Sequence, residues 1–319
     1  MRRNNAIALV LVVAFMAAAA GCACANAEEK IPGQNDGVVM VSTTTSLFDT
    51  GLLDYIEDDF ESKYPLDLRF IAVGTGIAIQ QAERGDVDCS LVHAPSLELG
   101  FLQNGNGVNR NIIAYNYFAI VGPKSDPAKT KGKAPLDALK NIVNSRATFI
   151  SRDDKSGTNT KELELWKALG YTRDTLLNQS WYKTTGQGMG ATLIMADELG
   201  GYTLTDMGTY LKYAKEGSIN LAVQLEGGKE LMNVYSAIAV NPAKHPNVNF
   251  EGSMEFIDYL CSKDTQELIG RYGKSEYGRN LFYPARGLLT SKSGQEYGWM
   301  KELAFFEGSE CPEKYRLAY

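Results

Sequence analysis

The chain has 319 residues, 38 acidic against 32 basic, and two histidines, His93 and His245. That balance leaves no basic footprint for nucleic acid, and two histidines supply no metal cluster, no Ser-His-Asp set and no obvious nucleophile and base pair. Catalysis is therefore not expected, and an anion would have to be held by short-range donors in a shielded cleft.

In chain order, Arg2-Arg3 precede an uncharged apolar run from Ala6 to Ala20, the two parts of a secretory signal. Roughly 15 apolar residues fall short of the about 20 needed to span a membrane. Ala19-Ala20-Gly21-Cys22 looks like a lipobox that makes Cys22 the lipid-modified first residue, while Ala25-Asn26-Ala27 fits ordinary signal cleavage. The lipoprotein reading makes residues 1–21 the signal and 22–37 a polar, flexible tether carrying a membrane anchor at Cys22. Beyond residue 21 there remain 30 basic and 38 acidic residues, a net charge of −8.

The roughly 280 residues after the tether are enough for two lobes. Strand Val38 to Val41 leads into Ser42-Thr43-Thr44-Thr45-Ser46 and a helix with Leu52, Leu53, Ile56 and Phe60 on one face. A second strand, Leu68 to Val73, leads into Gly74-Thr75-Gly76 and a helix from about Ile77 to Arg84; a third, Cys89 to Val92, leads into His93-Ala94-Pro95. Strands alternating with helices imply mainly parallel sheets, with loops gathered where ligands of open α/β sheets bind.

Two longer segments, Asn111 to Val121 and Leu231 to Val240, read as paired crossings between lobes. Residues 38–115 and 240–319 then form the first lobe and 116–239 the second. Cys89 and Cys261 lie in apolar stretches and read as buried small hydrophobes; spacing alone does not support a Cys261–Cys311 disulfide. The tail is uninformative.

Between the crossings, strand Ala147 to Ile150 leads into Ser151-Arg152-Asp153-Asp154-Lys155-Ser156-Gly157-Thr158, followed by a helix through Leu169. Amide N–H groups at a helix start favour an anion, and the planar fork of Arg152 suits a tetrahedral oxyanion. The plainer reading of the same residues is a capped helix with Asn159 as N-cap, Glu162 completing a capping box, and Arg152 on an acidic neighbour. A fourth loop, Thr184 to Gly190, opens a helix bearing Leu193 and Ile194. The P-loop pattern is absent, which argues against a nucleoside triphosphate.

The threonine run, Val73-Gly74-Thr75-Gly76, Gly85-Asp86-Val87-Asp88, Leu91-Val92-His93-Ala94-Pro95, the arginine loop and Gly188-Met189-Gly190 together resemble the tungstate-binding components of ABC importers, in order from about residue 38 to Pro284. The resemblance implies an α/β, two-lobed type II periplasmic-binding-protein fold, with two mainly parallel sheets flanked by helices and a ligand cleft between the lobes. It also implies capture of tungstate, with molybdate as a near-identical competitor, and delivery to a membrane permease driven by its ATPase. The expected place is the outer face of the cytoplasmic membrane or the periplasm, the expected state a monomer without cofactor. Carried over by position, Thr43, Thr44, Thr75, Arg152, Ser156 and Thr158 surround the anion, with Ser42, Thr45 and Gly188 as further candidates. Where the family has glycine after the arginine, this chain has Asp153, which is expected to point away.

Tungstate is fully deprotonated at neutral pH, so a site of donors satisfies every oxygen. Phosphate, the alternative within transport, carries a proton near neutrality and gains from an acceptor. An anchored enzyme acting on phosphorylated substrates is the reading from a different class; it lacks a base or metal set.

Overall fold

The structure is a computed structural model that describes residues 37–319. The expected signal segment, Cys22, Cys24 and the tether up to residue 36 lie outside the described residues.

The chain alternates strand and helix as the hydrophobic pattern predicts. The first part comprises β1 (Val38–Thr44), α1 (Thr45–Phe48), α2 (Leu52–Glu61), β2 (Asp67–Val73), α3 (Thr75–Arg84), β3 (Cys89–Val92), α4 (Pro95–Gln103) and β4 (Gly107–Gly122). The middle comprises α5 (Pro135–Ser145), β5 (Phe149–Ser151), α6 (Gly157–Ala168), α7 (Arg173–Leu177), β6 (Tyr182–Thr184), α8 (Met189–Glu198), β7 (Tyr202–Asp206), α9 (Met207–Lys215) and β8 (Ala222–Glu226). Then follow β9 (Met232–Val240), α10 (Phe250–Cys261), α11 (Lys263–Arg271), α12 (Lys274–Tyr277), β10 (Tyr283–Pro284), α13 (Arg286–Ser291) and α14 (Gln295–Ala304).

Strand order runs β2-β1-β3-β9-β4-β7-β5-β6. β2, β1 and β3 are parallel, and β9 is antiparallel to both β3 and β4. β4 belongs to two sheets in succession. From Gly107 to Tyr117 it pairs with β9, and from Phe118 onward it pairs antiparallel with β7 and β8, beyond which β5 and β6 run parallel. β9 pairs along its length within the first sheet, and the chain returns to it between Glu226 and Met232.

Each sheet buries both faces against helices, as parallel strands require. On the first sheet the period-two alternation of β1 sends Val39 and Val41 into a core with Ile56, Phe60, Phe256 and Leu260, while Ala78, Ile79, Phe101 and Ile238 build the core of the opposite face. On the second sheet Phe118, Ile120, Phe149, Trp166 and Tyr202 form one core, and Ala119, Val121, Ile150 and Leu193 the other.

The tail carries more structure than its sequence suggests. α14 packs Met300 and Ala304 against Ile112 and Val234, and Arg110, fully buried, pairs with Glu98 at 2.6 Å while donating to the carbonyls of Ala304 and Glu310. Cys89, Cys261 and Cys311 are all free thiols; Cys261 is half-buried rather than buried. Among the described residues no helix is long and apolar enough to cross a membrane, and no cluster of His, Cys, Asp or Glu could hold a metal ion.

Candidate functional site

The C-terminal ends of β1, β2, β3 and β5 each release a polar loop, and these loops meet. Thr44 ends β1 as the N-cap of α1, its hydroxyl accepting from Leu47 N at 3.2 Å. Thr75 opens α3 after Gly74; the residue is 1% exposed, and its buried hydroxyl has no hydrogen-bond partner. His93 follows β3, its Nε2 lying 3.1 Å from Thr44 Oγ1 and 3.4 Å from Ser46 Oγ.

Against these sits the start of α6. Its N-cap is Ser156, whose Oγ accepts from Asn159 N at 3.2 Å; Asn159, expected as the cap, lies inside the first turn. A side chain on Gly157 would place its Cβ 2.6 Å from His93 Cε1 and 3.2 Å from Thr75 Oγ1. Glycine is what lets the helix end approach the loops of the first sheet so closely.

Arg152 is 4% exposed. Its Nε and Nη2 donate to Asp154 Oδ2 at 3.0 and 2.6 Å, while Nη1 faces Thr158 Oγ1 at the long distance of 3.5 Å. The acidic-neighbour pairing anticipated for Arg152 is thus present, yet it occupies only one edge of the guanidinium. The charge of Arg152 is felt by three groups on other elements: it opposes the burial that pushes Asp49 and Asp206 up, and adds to the burial that pushes His93 down to about 4.

Asp153 takes a left-handed backbone, φ 47°, and its carboxylate receives Arg173 Nε and Nη2 at 2.7 Å each. Lys155 is left-handed too, φ 61°, so the loop stores strain of about 1 kcal/mol or more at each position. Glu162 holds it in place. This fully buried carboxylate, expected as a capping residue, accepts from Ser151 Oγ at 2.6 Å, Trp166 Nε1 at 3.0 Å and Tyr182 Oη at 2.7 Å. Ser151 Oγ in turn accepts from Asp153 N, and Asn159 Oδ1 from Lys155 N, both at 3.2 Å. Burial pushes the Glu162 carboxyl up to about 7 against the pull of these donors.

The other expected residues are placed differently. Ser42 Oγ donates to Ala78 O at 3.0 Å and Thr43 Oγ1 to Leu91 O at 2.9 Å, so both hydroxyls tie β1 to its neighbours. Thr45 is half-buried in α1. Gly188 is exposed at the start of α8, in a loop bound to the arginine loop through Thr185 N and Ser151 O at 3.0 Å.

Sequence reasoning gave Asn233 no role, quoted His93 only as part of a loop motif, and gave Glu162 only a capping role. For His93 a signal existed: it lies at the C-terminal end of a parallel strand, as Thr44 and Arg152 do. A cavity of about 230 Å³ adjoins the site, lined by His93, Gly157, Lys161, Asn233 and Glu302 among others; Thr44, Thr75 and Arg152 lie outside its lining. What converges is a set of hydroxyls, a helix N-terminus and one arginine edge, which is chemistry for a small oxyanion lacking protons of its own.

The family described as PBP superfamily domain matches residues 29–264. The chain is 40% identical over 284 residues to the tungstate-binding protein TupA of Peptoclostridium acidaminophilum, spanning 87% of this chain and 97% of that one. It is similar to the solved structure of the tungstate-binding protein TupA from Desulfovibrio alaskensis, with 43% identity, a TM-score of 0.71, and coverage of 77% of this chain and 98% of that chain. It is also similar to the structure described as the tungstate ABC transporter from Geobacter sulfurreducens, with 45% identity, a TM-score of 0.66 and coverage of 74% and 98%.

Proposed function

Since the chain belongs to the PBP superfamily, and within it to the tungstate-binding proteins, we propose that Thr44, Thr75, Arg152, Ser156 and Thr158 form the cradle of its anion. The protein is the tungstate-binding component of an ABC transporter, a binding protein and not an enzyme. The cradle rests above all on the hydroxyl of Thr75, buried, without a partner, and facing Gly157 at the N-terminus of α6. A buried hydroxyl left unpaired costs about 1–3 kcal/mol, and an oxyanion between it and the helix end removes that cost.

Tungstate suits this cradle better than phosphate. The carboxylate of Asp153 is held by Arg173, and that of Asp154 by Arg152 and Ser156 N. The arginine loop therefore offers no free carboxylate to the proton that phosphate retains. Molybdate, with nearly the same charge and shape, is the natural competitor. Ser42 and Thr43 serve the cradle by fixing β1, and the helix start at Gly188 borders it.

Isothermal titration with tungstate, molybdate, sulfate and phosphate at one pH and salt tests this reading. Tight tungstate and weak phosphate binding is the expected result; tight phosphate binding, or no heat with any of the four, would overturn it.

Sheet pairing supports lobes of residues 38–117 with 232–319 and of residues 118–231, eight residues earlier at the second boundary than the sequence suggested. The protein works as a monomer outside the cytoplasmic membrane, anchored by lipid on Cys22 and handing its anion to a permease driven by its ATPase. Mass spectrometry of the mature N-terminus would show a diacylated Cys22; a chain starting at Glu28 would remove the anchor.

A further inference from the structure

We propose that His93 takes up a proton from solvent when the cradle captures its dianion, and so becomes a second cation beside Arg152; this rests on the cradle argued above.

The hydrogen bonds around the ring fix its tautomer. Asn233 Nδ2 donates to Asn116 Oδ1 at 3.0 Å and to Tyr235 Oη at 2.8 Å, which turns Asn233 Oδ1 toward His93 Nδ1 at 2.8 Å. Nδ1 therefore carries the hydrogen and Nε2 the lone pair. Nε2 accepts from Thr44 Oγ1 at 3.1 Å, with Ser46 Oγ at 3.4 Å. The ring cannot turn away, because Tyr235 stacks on it at 4.8 Å and Gly157 closes its edge.

A dianion changes this arrangement. Its charged oxygens are stronger acceptors than a neutral ring nitrogen, so the hydroxyls of Thr44 and Ser46 turn to it. Nε2 is then left as a buried lone pair facing negative charge. A proton there converts that repulsion into a charge-assisted hydrogen bond. Buffer acid or hydronium loses the proton and Nε2 gains it, with no other bond made or broken. The cavity lined by His93, Ser96, Lys161 and Asn233 gives water a way to the ring.

The groups facing the ring set the direction. Arg152 from the loop before α6 and Lys161 on α6 join burial in keeping it neutral, with the pKa held down to about 4. Lys161 is itself paired with Glu164 at 3.1 Å, and Glu302 on α14 lies across the cavity. Thr75, Thr44, Ser46, Asn233 and Tyr235 are uncharged neighbours. Two negative charges arriving among them oppose the two cations and favour the imidazolium.

Isothermal titration of the protein with sodium tungstate at pH 6, in buffers of different ionisation enthalpy, counts protons taken up per anion. The parent should take up more than about half a net proton, and its affinity should fall by up to about tenfold per pH unit as pH rises from about 4 towards the pKa of the bound ring, levelling off beyond it. His93→Gln should bind with no uptake and no such slope. Binding by the parent without uptake, or uptake that persists in His93→Gln, overturns the proposal. Should His93→Gln not fold, His245→Asn leaves His93 as the single imidazole for NMR. Its titration midpoint should move from about 4 to above 6 with tungstate, and an unmoved midpoint overturns the proposal equally. Phosphate as true ligand would bring its own proton and bind tightly without uptake; no heat with any oxyanion would sink the cradle itself.

Discussion

Gly157 and His93 approach so closely that a Cβ at position 157 would lie 2.6 Å from the ring Cε1. The ring is held by Asn233 and Tyr235, so the start of α6 must retreat when that Cβ is added. Gly157→Ala should weaken tungstate binding by roughly five- to a hundredfold, from an overpacking cost of about 1–3 kcal/mol. Titration calorimetry checks it, and parental affinity would mean that α6 and His93 need not meet for capture.

Thr75→Val tests the unpartnered hydroxyl through opposite signs. It removes a buried group without a partner at nearly constant shape, so thermal stability without ligand should hold or rise by about 1 kcal/mol. Tungstate affinity should fall several-fold. Loss of both together would assign Thr75 a packing role instead.

Arg152→Ala should weaken binding by roughly ten- to a hundredfold, the loss of a charge-assisted contact of about 1.5–3 kcal/mol. The change also frees the carboxylate of Asp154, now held at 2.6 Å, to repel the anion. Arg152→Ala with Asp154→Asn should therefore bind more tightly than Arg152→Ala alone; equal affinities would take Asp154 out of reach of the ligand.

Glu162 makes stability depend on pH with a definite sign. Its carboxyl is raised by burial from 4.5 to about 7 in the folded protein, so the folded state holds a proton that the unfolded state releases first. This contribution is complete below about pH 4.5 and is lost as pH rises through about 7. Denaturant melts of the parent minus those of Glu162→Gln should show that loss across this window, and a flat difference would refute it.

Much of the fold was legible because each strand and helix carries its own period, and each strand-to-helix loop carries its hydroxyls in the same place. Thr43 and Thr44 show the limit. Adjacent residues of a strand face opposite ways, so one ties the sheet and the other reaches the proposed cradle, and only knowing where β1 ends separates them. Arg152 was legible as a cation; its division between Asp154 and Thr158 is a competition within six residues that side-chain geometry decides. His93 meets Asn233 across 140 positions, a juxtaposition that no local pattern encodes. Glu162 resembled a capping residue by spacing, and its burial depends on Trp166 and Tyr182 closing over it. α14, with charged residues among its apolar ones, was invisible until Ile112 and Val234 gave it a surface to cover.

The sharing of β4 between two sheets sets an order of assembly. The second sheet draws on one unbroken stretch, from Phe118 to Glu226. The first cannot be completed until β9 arrives, since β3 finds its antiparallel partner 150 residues later, Cys89 beside Ala239. As the chain folds, the N-terminal strands thus wait with an open edge while the middle of the chain pairs, and long-range pairing of this kind is slow. Thr44 and Thr75 of the proposed cradle, with His93 beside them, stand on the sheet that closes last, so on this reading the ability to bind an anion emerges only at the end of folding.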